Sequence, residues 1–230
     1  MTEIGSDRLG FELNGVALTA DLSGALFWPA AETLVVADLH LEKGSGLARH
    51  GSLLPPYDSR TTLRRLAEAL ARYRPRRVIC VGDSFHDGGA AARLGSEETE
   101  MLGRLVGGCD WLWLAGNHDP APPAALGGTV VEEVTLGPLV FRHQARPGQV
   151  AGESSGHFHP KASLSWRGRR VGGRCFVAGR ERVILPAFGA YAGGLDVLEP
   201  AIADLFAGGF QALLLGPTRL RGFSAAQLRG

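Results

Sequence analysis

Three short apolar runs, each followed by an acidic or amide side chain, constrain the fold of this chain more than any other feature. The runs are Thr33 to Ala37, Arg77 to Val81 and Trp111 to Ala115. Runs this short, rich in β-branched or aromatic side chains, are typical of strands that are buried on both faces. Asp38 follows the first run directly, and a glycine precedes Asp83 and Asn117 after the other two. The sequence therefore predicts three buried strands that end in polar side chains.

Helical periodicity fills the two intervals between these runs. Leucine and alanine recur at helical spacing from Asp58 to Tyr73, and Asp58 or Ser59 is the predicted N-cap. Ser96 to Val106 has the same periodicity, with acidic residues in its first turn. Alternation of strand and helix predicts a parallel sheet with helical crossovers.

The second half of the chain has a different pattern, in which glycine and proline separate short strand-like runs. These runs are Thr129 to Val134, Leu139 to Arg142, Ala162 to Trp166, Arg174 to Ala178 and Arg182 to Leu185. They predict a mainly antiparallel sheet. We therefore expect an α/β fold with two packed sheets, one mixed and one antiparallel, flanked by helices. A chain of 230 residues with this pattern is expected to form one domain, residues 1–230.

Charge and cysteine content limit the environment of the protein. The net charge is only +1, so the broad basic field of many nucleic-acid-binding proteins is missing. The arginines cluster at Arg60 to Arg77 and Arg167 to Arg170, where a solvated helix face and a charged hairpin are the simpler interpretation. No signal peptide or membrane span is evident, and the three cysteines lack a C-x-x-C spacing. We expect a cytoplasmic protein with reduced thiols and no membrane contact.

Histidines join the polar side chains at the strand ends in patterns that suit metal binding. Asp38 and His40 are separated by one residue, as are His157 and His159, so each pair points the same way on an extended chain. His143 ends a strand-like run as well. Any one of these histidines alone would more often be a structural residue. Their combination with the two aspartates and the amide favours a metal site.

The donor types indicate which metals would bind. Two carboxylates, one amide and four imidazoles are enough ligands for two ions. Mixed oxygen and imidazole donors suit manganese, iron or zinc better than calcium. We expect two divalent metal ions, with manganese as the preferred metal and iron or zinc as alternatives.

In the order D-x-H, G-D, G-N-H-D, a later H and G-H-x-H, the sequence resembles the calcineurin-like metallophosphoesterases. The resemblance covers Asp38 to His159 and implies the fold of that family and a dinuclear centre. It implies the following ligands: Asp38, His40, Asp83 and His159 for the first metal ion, and Asp83, Asn117, His143 and His157 for the second. Asp83 would bridge the two ions.

One departure from the general pattern narrows the resemblance. Many members of the superfamily carry an aspartate three residues after the G-D aspartate, where this chain has His86. Together with His40 to Gly44, Leu54 to Asp58 and Leu185 to Tyr191, His86 resembles the bacterial ligase-associated DNA damage response endonucleases. That resemblance implies a manganese-dependent phosphodiesterase that cuts DNA, single-stranded or flexible, with a functional link to a DNA ligase and a helicase.

The resemblance also implies a mechanism. Two ions about 3.5–4 Å apart activate a shared water and neutralise the charge of the phosphate. We expect the bridging hydroxide to attack the phosphorus. His118 would contact the phosphate or protonate the leaving oxygen, with Asp119 or Asp87 to orient it. His86 would be a second donor on the leaving-group side, or alternatively a solvent-exposed loop residue without a role.

Three interpretations of function remain open from the sequence. The first is the DNA phosphodiesterase, and the second is a metallophosphoesterase for a nucleotide, a phosphoprotein or another small phosphoester. The third is a scaffold without activity, which the complete ligand set disfavours.

Overall fold

The computed structural model describes residues 6–52, 54–55, 57–120, 124–148, 150–166 and 169–228. Within them the first sheet has seven strands, which lie side by side in chain order. They are β1 (Arg8–Leu13), β2 (Val16–Asp21), β3 (Leu26–Trp28), β4 (Thr33–Ala37), β5 (Arg77–Val81), β6 (Asp110–Leu114) and β7 (Thr129–Val131). β1 to β4 pair antiparallel, and β4 to β7 pair parallel. The parallel half therefore contains the three strands predicted from the apolar runs.

The second sheet has eight strands among the described residues, in the order β15-β14-β12-β13-β10-β9-β8, with β11 paired to β12 beside this path. They are β8 (Glu133–Leu136), β9 (Leu139–Arg142), β10 (Glu153–Ser155), β11 (Lys161–Trp166), β12 (Arg169–Ala178), β13 (Arg182–Ile184), β14 (Gln211–Leu215) and β15 (Leu220–Ser224). β10 pairs parallel with both β9 and β13. The α/β fold of two packed sheets flanked by helices is confirmed, but the second sheet is mixed and not wholly antiparallel.

Thr129 to Val134, predicted as one strand, is divided between the two sheets. β7 pairs with β6 in the first sheet, and β8 pairs with β9 in the second. The chain thus crosses from one sheet to the other at Glu132. The division follows from pairing partners that lie far away in the sequence.

The helices of the described residues are α1 (Lys43–Ala48), α2 (Asp58–Tyr73), α3 (Ala90–Arg93), α4 (Ser96–Gly107), α5 (Pro200–Ala203) and α6 (Ala225–Leu228). α2 has the predicted bounds, and α4 is one residue longer than predicted. In the described part of the chain we find no helix with the length and apolarity that a membrane span requires.

The predicted cap of α2 is wrong. Tyr57 occupies the N-cap position and makes no capping hydrogen bond with its side chain. The Asp58 carboxylate accepts a hydrogen bond from the backbone of Gly44 (2.9 Å), and the Ser59 hydroxyl accepts one from the backbone of Glu42 (2.8 Å). Both side chains therefore hold the start of α1. Pro56, just before this turn, and Arg167 of the second arginine cluster lie outside the described residues.

Both faces of the central strands are buried. In β4, Val35 and Ala37 contact the core between the two sheets, whereas Leu34 and Val36 pack toward α2 and α4. A third apolar cluster covers the outer face of the second sheet beneath α5 and α6. Each large aliphatic side chain buried in this way contributes about 1.5–3 kcal/mol. Burial on both faces explains why these strands are apolar throughout and show no alternation.

Candidate metal centre

The predicted ligands lie at the ends of five strands. β4, β5 and β6 run parallel, so the residues after them meet at one edge of the first sheet. β9 and β10 also run parallel to each other, and the residues after them meet at one edge of the second sheet. The two edges face each other. This arrangement brings all seven predicted ligands together: Asp38, His40, Asp83, Asn117, His143, His157 and His159.

The first group of side chains is formed around Asp38. His40 Nε2 and His159 Nε2 are 3.0 Å apart, and His159 Nε2 lies 3.6 Å from Asp38 Oδ1. Asp83 Oδ2 lies 3.9 Å from His40 Nε2. Asp38 and His40 are buried, and His159 is half-buried. These are the four side chains predicted for the first metal ion.

The second group shares Asp83 with the first. His143 Nε2 lies 2.8 Å from Asn117 Oδ1 and 3.4 Å from Asp83 Oδ2. His157 Nδ1 lies 3.0 Å from Asn117 Oδ1 and 3.2 Å from His143 Nε2. Because Asp83 contacts both groups, it has the position that a bridging ligand requires.

The lone pairs of the second group converge in a way that favours a proton or a metal ion between them. His143 Nδ1 donates a hydrogen bond to the Val81 carbonyl (3.3 Å), so the Nε2 atom of the neutral ring carries a lone pair. That lone pair faces Asn117 Oδ1, Asp83 Oδ2 and His157 Nδ1, which are also acceptors in their usual states. Such atoms repel one another unless a proton or a metal ion lies between them. Neutral imidazole and carboxylate are also the forms that bind metal ions, so this donor set fits divalent cations.

The pKa values of Asp83 and His143 are both shifted in the direction that favours the charged side chain, whereas the pKa of His40 is shifted toward the neutral ring. Burial raises the pKa of Asp83, but its hydrogen bond with His143 and the charge of His143 outweigh burial and leave the pKa lowered. Burial lowers the pKa of His143, but Asp83 and the charge of Asp38 leave it raised. Burial and the charge of His159 lower the pKa of His40 to about 2. His40 therefore stays neutral and keeps a lone pair for a metal ion.

Five of the seven side chains stand on strained backbone. Positive φ angles occur at Asp38 (53°), His40 (43°), Asp83 (46°), His157 (71°) and His159 (48°). Residues other than glycine adopt this region rarely, at a cost of about 1–3 kcal/mol each, and such residues concentrate at functional sites. Left-handed residues after β4, β5 and β10 direct these side chains into the space between the two sheet edges, so the prediction that the two spaced pairs lie on extended chain is wrong.

Glycine is required before two of the predicted ligands, Asp83 and Asn117, because other groups approach the backbone there too closely for a side chain. A Cβ atom on Gly82 would overlap the His143 ring, and its φ of +68° also disfavours any other residue. A Cβ atom on Gly116 would overlap the backbone and carboxylate of Asp83. Close approach, and not only a sharp turn, thus accounts for both glycines.

His118 lies at the open side of the centre, where it is exposed. Its backbone N–H donates to Asp83 Oδ1 (2.9 Å), and its ring Nδ1 donates to the His86 carbonyl (2.8 Å). The prediction that Asp119 or Asp87 orients the ring is wrong. Asp119 is buried, with its pKa raised by burial to about 7, and it accepts a hydrogen bond from the Phe85 backbone (3.0 Å). Asp87 instead pairs with an arginine of α3.

His86 lies beside the centre and is not a solvent-exposed loop residue. Its ring stacks on the ring of His118, with centroids 5.4 Å apart and planes at 20°, and its centroid lies 5.8 Å from that of His40. The ring is half-buried against Gly46 of α1. Burial lowers the pKa of His86, and the charge of Lys43 lowers it further. His40, His86 and His118 offer ring nitrogens within 4.8 Å of one another.

The secondary motifs have mainly structural positions. The Leu185 to Tyr191 segment runs beside the end of β4, where the Phe188 backbone donates to the Ala37 carbonyl (2.8 Å) and the Phe188 ring is fully buried. The Tyr191 hydroxyl donates to the Pro55 carbonyl (2.7 Å). The Glu42 carboxylate accepts a hydrogen bond from a serine of α2, and His50 is exposed. The hydrogen bond from the Phe85 backbone to Asp119 was not predicted from the sequence. The position of Asp119 at the end of the G-N-H-D motif was the signal that could have indicated a role near the centre.

The comparisons with known proteins agree with this geometry. The family model of calcineurin-like phosphoesterases matches residues 32–167, which include every predicted ligand. Because the match covers more than half of the chain, this protein belongs to the calcineurin-like phosphoesterase family. It is a metal-dependent phosphoester hydrolase.

The solved structures with similar folds include a nuclease. The chain resembles the nuclease MPE of Pseudomonas putida with a TM-score of 0.72 and 26% identity, over 94% of this chain and 100% of that chain. YfcE, a phosphoesterase from E. coli, aligns with a TM-score of 0.39 and 15% identity, over 85% of this chain and 98% of that chain. A predicted phosphoesterase from Streptococcus pneumoniae aligns with a TM-score of 0.32 and 15% identity, over 84% and 96% of the two chains. The comparison with curated proteins gave no significant match.

Proposed function

We propose that this protein is a dinuclear metal-dependent phosphodiesterase that cuts DNA, and that it acts in DNA repair. The observation that carries the proposal is the convergence of seven lone-pair donors in two groups that share Asp83. We assign Asp38, His40, Asp83 and His159 to the first ion and Asp83, Asn117, His143 and His157 to the second. The absence of thiolate and the mixture of oxygen and imidazole donors favour manganese, with iron or zinc as alternatives.

The metal ions supply the general chemistry of phosphoester hydrolysis: they activate water and neutralise the charge of the phosphate. His118 supplies a proton. Because its Nδ1–H donates to the His86 carbonyl, the proton that it exchanges is on Nε2. In the imidazolium form this nitrogen donates to the leaving oxygen, which becomes a hydroxyl group. His86, stacked on His118, is placed to contact a phosphate oxygen or the leaving oxygen as a second donor.

Two observations support DNA as the substrate. The P. putida structure that this chain resembles over most of its length is described as a nuclease. The His86 motif also resembles the ligase-associated endonucleases, which implies a strand that is single or flexible. The link to a DNA ligase and a helicase, implied by the same resemblance, remains a prediction.

We also propose that residues 1–230 form a single domain located in the cytoplasm. The two sheets share one apolar core, which supports a single folding unit. Cys80, Cys109 and Cys175 are free, which favours a reducing compartment.

The test uses chelated protein that is then reconstituted with manganese. A single-stranded oligonucleotide, bis-p-nitrophenyl phosphate and p-nitrophenyl phosphate are the substrates. Cleavage of the oligonucleotide and of the diester, weaker hydrolysis of the monoester and no activity in EDTA are expected. Asp83→Ala is expected to abolish turnover and metal binding at both sites, because Asp83 contacts both groups.

Asp110→Ala is the matched control. Its carboxylate lies at the other end of β6, half-exposed and paired with Arg77 at 2.7 Å, so its removal is expected to change neither metal content nor turnover. Full activity in EDTA would overturn the metal-dependent mechanism. Hydrolysis of the monoester without cleavage of DNA or of the diester would favour a small phosphoester as substrate.

A further inference from the structure

Lysine is rare in this chain and occurs only beside the metal centre. Of the 24 lysine and arginine residues, 22 are arginine, and the remaining 2 are Lys43 and Lys161. Lys43 follows His40 by three residues, and Lys161 follows His159 by two. Elsewhere the chain uses arginine for its positive charges, so lysine at these two places calls for an explanation in terms of the centre.

Both lysines have backbones that the fold holds in place. Lys43 is the first residue of α1, whose start is held by hydrogen bonds from Glu42 and Gly44 to side chains of α2. Lys161 is the first residue of β11, and its backbone exchanges hydrogen bonds with Leu195 (2.8 Å) and Val197 (2.9 Å). The two side chains are therefore presented from fixed points.

In the part of the chain that the structure describes, neither ammonium group has an anionic partner. Both side chains are half-buried, and within the described residues neither makes an ion pair or a side-chain hydrogen bond, in contrast to arginines such as Arg93 and Arg142. His40 Nε2 and His159 Nε2 are 3.0 Å apart, so the short segments that lead from these histidines to Lys43 and Lys161 start side by side at the centre. The two ammonium charges remain available there to an anion.

The hairpin that begins at Lys161 extends the same basic face away from the centre. The register pairs Lys161 with Arg174 and Ser165 with Arg170, so these residues share one face of the hairpin. Arg170 is exposed, and its guanidinium contacts Ser163 and no carboxylate within the described residues. The face thus carries positive charge from the centre outward.

We propose that Lys43 and Lys161 bind phosphates of a DNA strand that neighbour the scissile phosphate. This assignment rests on the proposed function. The scissile phosphate belongs to the metal ligands, His118 and His86, whereas the two lysines are rooted in α1 and β11, outside the strand ends that carry those ligands. Lysine suits the role because its ammonium is a compact charge with three donors, which follows a flexible phosphate backbone without the fixed planar geometry of arginine.

The experiment measures DNA binding separately from catalysis. Lys43→Gln and Lys161→Gln are compared with the wild type for binding of a fluorescent single-stranded oligonucleotide by full-length, metal-free protein over a range of salt concentrations. Each variant is expected to reduce the slope of log affinity against log salt by about 0.7, the value for one phosphate contact on a single strand. Lys161→Arg keeps the charge and is expected to keep the slope.

Arg104→Gln is the matched control, since Arg104 is an exposed arginine of α4 that pairs only with Glu100 among the described residues. It is expected to bind DNA like the wild type.

In metal-reconstituted protein each lysine variant is expected to raise the KM for DNA about tenfold, the effect of one charge-assisted contact, with a smaller change in kcat. The KM for bis-p-nitrophenyl phosphate, which has no flanking phosphates, is expected to change less.

Thermal melting confirms that each variant is folded. Wild-type salt slopes and KM values in both folded lysine variants would overturn the inference. An equal rise in KM for DNA and for the small diester would place the lysines on the scissile phosphate and would also overturn it. If the wild type hydrolyses the diester and neither binds nor cuts DNA, the proposed function itself fails.

Discussion

Glu153 lies beneath the metal centre in a buried ionic network, and its removal is expected to destabilise the protein strongly. The carboxylate is fully buried and lies 2.9 Å from a guanidinium nitrogen of Arg142 and 3.3 Å from one of Arg182. It also accepts a hydrogen bond from the Arg146 backbone (3.0 Å). Arg142 directly precedes His143, and Glu153 is the first residue of β10. The network therefore joins the two strands that carry histidines into the centre.

The magnitude follows from the burial of the groups that remain. In Glu153→Ala, Arg182 (3% exposed) stays buried without its carboxylate partner, and Arg142 (8% exposed) keeps only the more exposed Glu133. Breaking a buried ion pair in this way costs about 3–5 kcal/mol, a large part of a typical stability of about 5–15 kcal/mol. Glu133→Ala is the matched control, because Glu133 pairs with the same Arg142 at 3.3 Å but its side chain is 39% exposed. An exposed pair of this kind contributes about 0–1 kcal/mol.

The assay is urea unfolding of both variants and the wild type in EDTA, so that metal binding does not contribute to the free energy of unfolding. With a slope of about 2–3 kcal/mol per molar urea, Glu153→Ala is expected to lower the midpoint by about 1–2.5 M. The midpoint of Glu133→Ala is expected to stay within about 0.5 M of the wild type. Equal midpoints for the two variants would refute the argument from burial.

Three further changes test the site and the stability. His118→Ala is expected to keep both metal ions in metal analysis and to lower kcat by about 10²–10⁴-fold, as for a lost acid catalyst, whereas loss of metal would make His118 a ligand. His86→Ala is expected to impair DNA cleavage far more than bis-p-nitrophenyl phosphate hydrolysis, because p-nitrophenolate leaves without a proton. Near wild-type rates on both substrates would remove His86 from the site, and an equal large loss on both would indicate phosphate positioning. Burial raises the pKa of Asp21, but hydrogen bonds from Ser23 and Tyr73 and the charge of Arg72 leave it below the usual 3.8, so the carboxylate stabilises the fold above that pH. The loss of unfolding free energy in Asp21→Asn is expected to be constant near neutral pH and to shrink as the pH falls below about 3.8; a loss independent of pH in urea titrations would contradict this.

Local patterns were sufficient for the elements whose residues interact mainly with their sequence neighbours. α2 has the predicted bounds, Asp58–Tyr73, because helical periodicity and its breaks are local properties. β4 and β5 also have the predicted bounds, since strands buried on both faces are apolar throughout. The strands before Thr33, β10 and the strands after Ile184 were not predicted. β1 is partly exposed, and its residues alternate regularly between exposed and more buried positions, so this strand was available from the period-2 pattern and was missed.

The identity of the candidate ligands was also available from the sequence, because most of them follow a strand-like run and their residue types carry the chemistry. The spacing in Asp38-Leu39-His40 and His157-Phe158-His159 depends on a few adjacent bonds. The orientation of His118 was not available in this way. The carbonyl that holds its ring belongs to His86, 32 residues away in the chain.

The sequence by itself determined the family, the central strands and helices, and the set of side chains at the strand ends. Only the tertiary structure decided which strand ends meet. The parallel pairing of β9 with β10 brings His143 to His157, and it is an exception within a second sheet that is mainly antiparallel, as expected from short runs separated by turns. The division of Thr129 to Val134 between the two sheets was also decided by the tertiary structure, and so was the contact of Asp58 with α1. Strand partners and side-chain acceptors are chosen by packing across long sequence separations, so the periodicity within a segment does not encode them.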